Sequence, residues 1–155
     1  MSLVAVPALE HVFDASIAVA APVEIGETGL GQRRVIAIMG GDVSGPHLSG
    51  GILPGGADFQ IIRPGGLTEL HARYMVETRS GALVYVENSG IRFGPAEALD
   101  RLRLGLPVDP ALIYFRSAPR FETAAPDLAW LTTSLFVASG ARHPDRVVLS
   151  VFKVV

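Results

Sequence analysis

Hydrophobic and polar residues alternate with a period of two along most of this chain. In the segment 68–78, for example, Leu70, Tyr74 and Val76 fall on one face, whereas His71 and Arg73 fall on the other. Such alternation in stretches rich in Val, Ile, Tyr, Phe and Thr, bounded by Gly, Pro, Ser or Asp, is typical of β-strands. A glycine-rich stretch adds one or two short strands, for a total of about eight to ten. The pattern predicts strands at 11–20, 33–39, 59–63, 68–78, 83–88, 112–116, 131–138 and 146–155.

Short glycine-containing turns at 63–66 and 79–81 join successive strands, which favours antiparallel pairing. Turns are also predicted at 109–110 and 118–119. Only the segment 95–105 has a helical pattern, with proline first, acids early, arginines late and glycine at the end. We therefore expect an all-β fold: a closed or nearly closed antiparallel β-barrel, lipocalin-like, with one short helix, as a single domain over 1–155.

The composition is apolar, with 49% hydrophobic and 18% charged residues. This balance favours a ligand cavity together with a buried interface between copies, so a homodimer is expected. The uncharged runs are shorter than the roughly 18 residues that cross a bilayer, so no membrane span is expected. The N-terminus has no secretion signal pattern, which predicts a cytoplasmic protein. A net charge of −2, without a long basic run, argues against nucleic acid as a partner.

Several kinds of chemistry lack their usual residues. The chain has no cysteine, which excludes disulfides, thiolate nucleophiles and cysteine-bound metals. Its four histidines do not have the spacing of a metal site, and the sequence contains no phosphate-binding or dinucleotide-binding glycine motif and no serine nucleophile motif. We therefore expect no metal and no cofactor, and a site built from carboxylate, imidazole, amide or guanidinium groups.

The segment 40–58 contains seven glycines and two prolines and ends on Asp58. Ordering so flexible a stretch costs conformational entropy, which predicts that it shapes a ligand site. Asp58 stands where this loop becomes a strand, and it is the first catalytic candidate. The alternative is that Asp58 forms an Asx-turn or a strand-end cap. His47, in the same segment, is a second candidate for a general base or acid.

The other candidates lie on or near predicted strands. Arg73 is in mid-strand, so it either faces solvent or lies inside the barrel with a carboxylate or an anionic ligand. Asn88 either forms a turn or donates its amide into the barrel mouth, and Arg116 either is solvated at the rim or adds a second guanidinium to the pocket. Tyr85 and Trp130 are candidates for packing the apolar part of a substrate, and Trp130 could equally be a core anchor.

Six motifs occur in order along almost the whole chain. Together they resemble the family of proteins of unknown function DUF3237, also classed as UPF0311. The resemblance implies a small closed β-barrel and places the site candidates at the polar residues within the motifs. The motifs are G-x-V-x-G-P-x-L-x-G at 41–50, G-G-A-D-F at 55–59, A-R-Y at 72–74, N-x-G at 88–90, Y-F-R-x-x-P-x-F-E-T at 114–123 and W-L at 130–131.

These observations lead to three functional hypotheses. In the first, the chain is a cofactor-independent lyase, isomerase or cyclase on an aromatic or carbonyl-bearing metabolite, with Asp58 moving a proton and Arg73 and Arg116 stabilising an oxyanion that Asn88 orients. In the second, it is a non-catalytic lipocalin-like binding protein for a small apolar or anionic ligand, in which Arg73 and Asp58 form a structural ion pair. In the third, the apolar surface is an interface and the chain is a structural subunit.

Overall fold

The computed structural model describes residues 1–155, which form ten β-strands, one α-helix and two short 3₁₀ helices. The α-helix, α1, follows β7 and is eight residues long; no helix in the structure could span a membrane. The strands are β1 Leu9–Val19, β2 Val23–Glu27, β3 Gln32–Ser44, β4 Gly50–Ile52, β5 Gly56–Ile62, β6 Thr68–Thr78, β7 Leu83–Phe93, β8 Tyr114–Thr123, β9 Phe136–Arg142 and β10 Arg146–Val154; α1 is Ala96–Arg103, and the 3₁₀ helices are Pro110–Leu112 and Pro126–Leu131.

The strands form a closed antiparallel barrel of eight strand positions, as the sequence predicts. Closure occurs at β1, which pairs with β10 on one side and with β3 on the other. The short strands β4 and β5 both lie between β3 and β6, so they share one strand position. The strand β2 pairs with the first part of β3 and lies at the end of the sheet order. Because the ring is closed, nearly every strand finds a partner on both sides.

The two halves of the barrel interior differ in character. One half is filled by a hydrophobic cluster to which Phe13, Val76, Val84, Leu131 and Phe136 belong, all 3% exposed or less. The other half, near α1, has polar side chains among its apolar walls. Both halves follow from the period-two alternation, which turns every second residue of each strand inward.

Local turn signals in two strands are overridden by pairing. The turn expected at 118–119 and the turn alternative for Asn88 are wrong, because β7 and β8 run through both positions and pair Asn88 with Pro119. Gly90 suits this continuous strand, since a Cβ there would lie 2.4 Å from the carbonyl oxygen of Arg116. The strand predicted at 131–138 begins only at Phe136, after a 3₁₀ helix, and β2 was not predicted at all.

The glycine-rich segment 40–58 contains positions at which neighbouring strands approach closely. Gly41 has a φ of +141°, and a Cβ there would lie 2.1 Å from the carbonyl oxygen of Ser16 on β1. At Gly50 a Cβ would lie 2.1 Å from the carbonyl oxygen of Glu77 on β6. The glycines therefore allow neighbouring backbones to approach where strands cross, and Asp58 is the residue of this segment that lines the cavity inside the barrel.

Candidate ligand site inside the barrel

The polar half of the barrel encloses a cavity of about 40 Å³. Its walls are mostly aliphatic or aromatic and include Ile36, Leu70, Tyr74 and Phe115. A space of this size accommodates a few water molecules or the small polar end of a ligand. Six polar side chains in addition to Tyr74 line it, contributed by strands far apart in the sequence: Asp58, Gln60, Asn88, Arg92, Ser117 and Arg142.

Asp58 is held in this cavity by two hydrogen bonds. Its Oδ2 accepts a hydrogen bond of 2.8 Å from Nε2 of Gln60, and its Oδ1 accepts one of 3.0 Å from the backbone N–H of His71. The pairing of β5 with β6 explains the second bond, because the ladder skips the two positions that follow Asp58. The carboxylate thus takes up a backbone donor that the interrupted ladder leaves free.

Burial raises the pKa of Asp58 above its ordinary value of 3.8. The hydrogen bonds from Gln60 and His71 act in the opposite direction, as does the positive charge of Arg92. Desolvation is the largest of these effects, since the cavity walls are mostly apolar. The result is a carboxyl group that takes and releases a proton closer to neutral pH than an exposed aspartate does.

Three arginines turn toward the same half of the barrel. Arg34, Arg92 and Arg142 are only 2%, 6% and 8% exposed. Burial lowers the pKa of all three, that of Arg92 to about 10. Arg34 has one acidic neighbour, Glu24, whose Oε1 lies 3.5 Å from its NH1 nitrogen. The guanidinium of Arg92 lies over the Phe115 ring, 5.6 Å from the ring centroid.

Several buried polar atoms at this end find no hydrogen-bond partner within the protein. Two are guanidinium nitrogens, Nε of Arg34 and NH1 of Arg142. Three are oxygens: Oε1 of Gln60, Oδ1 of Asn88 and Oγ of Ser117. Four of the five belong to residues that line the cavity, whereas Arg34 lines the groove beside it. Because a buried unpaired polar atom costs free energy, these atoms indicate that the cavity is built to contact a polar molecule.

A groove of about 340 Å³ lies next to the cavity and shares Arg92 with it. Its walls come from Arg34, Thr68 and the turn after β5, and from Leu99 and Arg103 of α1. Helix α1 thus lies at the same end of the barrel as the cavity. The groove supplies room for the part of a ligand that the cavity itself is too small to hold.

Three of the predicted site residues lie on the outside of the barrel. The Arg73 side chain is 60% exposed, with its Nε 3.9 Å from Oε1 of Glu87, and Tyr85 donates a hydrogen bond of 3.0 Å to the same oxygen. Arg116 is also exposed and lies over the Tyr114 ring. Arg73 and Arg116 therefore follow the solvent-facing alternative and not the pocket one, and Tyr85 does not line the cavity. Arg73 forms no ion pair with Asp58.

His47 and Trp130 lie at the other end of the barrel. The strand β6 shows this, since Ala72 pairs with Asp58, whereas Thr78 lines the surface depression that contains His47. The six-residue separation of Ala72 and Thr78 along the strand corresponds to roughly 20 Å. Trp130 packs against Phe136 of the hydrophobic cluster and has its ring centroid 6.1 Å from that of His47. The structure does not bring either residue to Asp58, so neither takes part in the cavity.

Of the predicted residues, Asp58 and Asn88 reach the cavity, whereas Gln60, Ser117 and the buried arginines were missed. The sequence does contain a signal for Arg92. This arginine lies on the same face of the alternating pattern as Val86 and Asn88. The predicted strand ended at Asn88, so this pattern was not continued to Arg92. Arg34 likewise lies on the same strand face as Ile36, but an arginine at the start of a strand is usually exposed.

Comparison with known proteins identifies the family of this chain. A family model described as "Protein of unknown function (DUF3237)" matches residues 7–154. The chain belongs to this family. It is 55% identical over 150 residues to a UPF0311 protein of Rhodopseudomonas palustris, covering 96% of this chain and 98% of that protein. The family assignment confirms the resemblance carried by the six motifs.

Solved structures of similar proteins have the same fold. A conserved protein of unknown function from Rhodopseudomonas palustris is 52% identical, with a TM-score of 0.93 and coverage of 98% of this chain and 100% of that one. A protein from Acinetobacter baumannii described as β-barrel like is 36% identical, with a TM-score of 0.87 and full coverage of both chains. An enzyme from Penicillium herquei is 18% identical, with a TM-score of 0.74 over 100% of this chain and 99% of that one, a likeness of fold alone.

The side chains at the site suit an organic ligand better than a metal ion. No group of three or more His, Cys, Asp or Glu residues in the structure could hold a metal. Arginine cannot ligate a cation, and it is the side chain that binds oxyanions best. The site combines one carboxyl group that can exchange a proton with guanidinium and amide groups that can hold oxygen atoms.

Proposed function

We propose that this chain is a cofactor-independent enzyme that transfers a proton on a small carbonyl-bearing or aromatic metabolite held in the barrel cavity. The observation that carries the proposal is the position of Asp58, a carboxyl group with a raised pKa inside a mostly apolar cavity. Each of its oxygens accepts one hydrogen bond, so lone pairs remain free for a substrate proton. A carboxylate whose pKa is raised toward neutrality is a better general base than an exposed one.

In the proposed reaction, Asp58 transfers the proton and the guanidinium groups stabilise the negative charge. Asp58 removes a proton from a carbon next to a carbonyl group or from a phenolic hydroxyl. The carbonyl or phenol oxygen gains the negative charge, and Arg92 and Arg142 stabilise it electrostatically. The protonated Asp58 then returns the proton to another atom of the substrate, as an isomerase does, or to a leaving group, as a lyase does. Asn88 and Ser117 orient the substrate oxygens.

Two observations bear on whether the site is catalytic. The Penicillium herquei protein with this fold is described as an enzyme, which supports the proposal by analogy. On the other side, Asp58 bridges the gap between β5 and β6, a role that a purely structural aspartate could also fill. The second candidate function is therefore a binding protein in which Asp58 only stabilises the cavity.

Replacement of Asp58 by Asn distinguishes the two functions. Wild type and Asp58→Asn are incubated in D₂O with a panel of hydroxy-carbonyl and aromatic metabolites, and substrate deuteration and conversion are followed by NMR and mass spectrometry. We expect the variant to lose about 100-fold or more of the activity, because the base is removed. Asp42→Asn, at an exposed position on β3, is the matched control and should retain activity.

Deuteration that survives in the Asp58→Asn variant would contradict the proposed role of Asp58. Binding of an unchanged metabolite by both proteins, without deuteration in either, would favour the binding protein. Thermal unfolding of both variants shows whether the fold is intact, so that a loss of activity is assigned to the missing carboxylate.

A further inference from the structure

The positive charges at the cavity exceed the negative ones. Arg34, Arg92 and Arg142 are all more than nine-tenths buried, and Asp58 is the one acidic side chain that lines the cavity. Glu24 on β2, itself 45% exposed, lies beside Arg34. Of these arginines, Arg92 and Arg142 line the cavity itself, so one positive charge remains there when Asp58 is ionised and two remain when it is protonated. Asp145 acts on Arg142 from outside the cavity and forms no salt bridge with it. A buried charge without a counter-ion is strongly unfavourable.

The guanidinium donors also lack acceptors. NH1 of Arg142 has no hydrogen-bond partner in the protein. The guanidinium of Arg92 lies over the Phe115 ring and interacts electrostatically with Asp58, but it forms no salt bridge with that carboxylate. Arginine presents its N–H groups as a planar fork that matches the two oxygens of a carboxylate. One carboxylate group would therefore supply both the missing charge and the missing acceptors.

The same cavity also contains acceptors without donors. The amide of Gln60 is fixed in orientation, because its Nε2 donates to Asp58. Its Oε1 must then accept a hydrogen bond, and it has no partner in the protein. Neither a carboxylate nor another carbonyl can provide a proton, whereas a hydroxyl group can. Ser117, whose Oγ is also unpartnered, can donate to or accept from the same hydroxyl.

We propose that the ligand of this cavity is a small hydroxycarboxylic acid, with its carboxylate on Arg92 and Arg142 and its hydroxyl group on Gln60. The rest of the molecule extends past Arg92 into the groove beside α1. This inference names the substrate class of the site in the proposed function and rests on the cavity being that site, but it does not require catalysis. It places the proton that Asp58 would move on the carbon that bears the hydroxyl group, next to the carboxylate.

Matched probes test the two parts of the proposal. Binding of mandelate and lactate is compared with that of mandelamide and lactamide, which lack the charge, and with phenylacetate and propionate, which lack the hydroxyl group. Dissociation constants come from NMR titrations at constant ionic strength. We expect each hydroxy acid to bind at least ten times more tightly than its amide and several times more tightly than the acid without the hydroxyl group. Equal affinity for acid and amide, or binding of no probe at millimolar concentration, would overturn the proposal.

Arginine variants assign the carboxylate to its partners. Arg92→Gln and Arg142→Gln should each weaken binding of mandelate at least tenfold and weaken binding of mandelamide much less, because only mandelate loses a charge pair. Arg116→Gln, which removes a guanidinium from the outer face, is the matched control and should bind mandelate as wild type does. Without ligand, Arg142→Gln should unfold at the same temperature as wild type or higher, because a buried unpaired charge has been removed. Unchanged mandelate binding in both cavity variants would be incompatible with the assigned roles.

Asp58→Asn separates this inference from the proposed catalysis. The variant should bind mandelate more tightly than wild type at neutral pH, because a negative charge next to the carboxylate site has been removed. If Asp58 does not transfer the proton, turnover will be unchanged in this variant. Failure of the ligand assignment would instead appear as weaker or unchanged mandelate binding, whatever the turnover is.

Discussion

At the scale of single residues, Asp58 combines a structural and a chemical property. It lies at the point where the ladder between β5 and β6 is interrupted, and its carboxylate binds the backbone N–H of His71 there. Burial raises its pKa, so the folded protein holds its proton up to a higher pH than the unfolded chain does. This difference couples the protonation of Asp58 to the stability of the whole fold.

The sign of that coupling gives a prediction. As the pH rises above about 4, the unfolded chain loses the Asp58 proton first. The contribution of Asp58 to stability therefore falls from about pH 4 up to its raised folded pKa and is constant above it. Urea unfolding of wild type and Asp58→Asn across this range should give a difference, wild type minus variant, that declines with pH and then levels off. A flat or rising difference would mean that the pKa of Asp58 is not raised.

Asp14 is a useful contrast at the same scale. A hydrogen bond from Ser150 lowers its pKa, with a smaller contribution from His11. Its contribution to stability is therefore present above the unfolded pKa and is lost as the pH falls through the lower folded value. Asp14→Asn should change the pH dependence in the opposite direction to Asp58→Asn, although by less, because Asp14 is half exposed.

At the scale of elements, glycine decides how the barrel closes. Strand β3 pairs with β2 and β5 in its first half and with β1 and β4 in its second half. The change occurs at Gly40 and Gly41, both with positive φ. At Gly41 the carbonyl of Ser16 occupies the place of a side chain. The strand that closes the barrel thus depends on a residue without a Cβ.

Two alanine substitutions separate backbone strain from crowding. Gly41→Ala and Gly55→Ala both place an alanine at positive φ, a strain of about 1–3 kcal/mol. Only at Gly41 would the new Cβ meet another strand, since nothing lies within 4 Å of the corresponding position at Gly55. Gly41→Ala should therefore lower the free energy of unfolding clearly more than Gly55→Ala does. Equal losses in urea unfolding would show that close approach of β1 and β3 is not what requires Gly41.

At the scale of the whole molecule, much apolar surface remains outside the barrel. Twenty large hydrophobic side chains are exposed, among them Val23 and Ile25 of β2, at 65% and 61%. The strand β2 lies last in the sheet order, so one of its edges is without a partner in the chain. Exposed apolar edges favour pairing with another chain. The homodimer expected from composition stays a prediction, as does a cytoplasmic location.

A charged residue on β2 tests whether copies of the protein associate through the unpaired edge of this strand. If copies associate through β2, Ile25→Lys should shift the protein toward monomer in sedimentation velocity, because the charge must be buried at the interface. Leu83→Lys, on the outside of β7, is the control and should associate as wild type does. Monomeric wild type at high protein concentration would contradict the expected homodimer.

Most of the strands, the antiparallel barrel, the short helix and the family were predictable from the sequence, because alternation, turn residues and motifs are local properties of the chain. The prediction for β6 agrees with the structure at both ends, Thr68 and Thr78. The sequence also placed a candidate at Asp58, since a change from loop to strand can be read locally. Where it was wrong, as at Asn88 and Pro119, a local turn signal competed with pairing to neighbouring strands.

Only the tertiary structure decided which face of each strand is inside. Alternation divides β6 into two faces, but it does not say whether Arg73 or Tyr74 points into the barrel, and closure turned Arg73 outward. It likewise could not show that Arg92 of β7 and Arg142 of β9 line one cavity with Asp58, or that Arg34 of β3 lies in the groove beside it. Their burial depends on the neighbours that closure supplies, and those neighbours lie far apart in the chain.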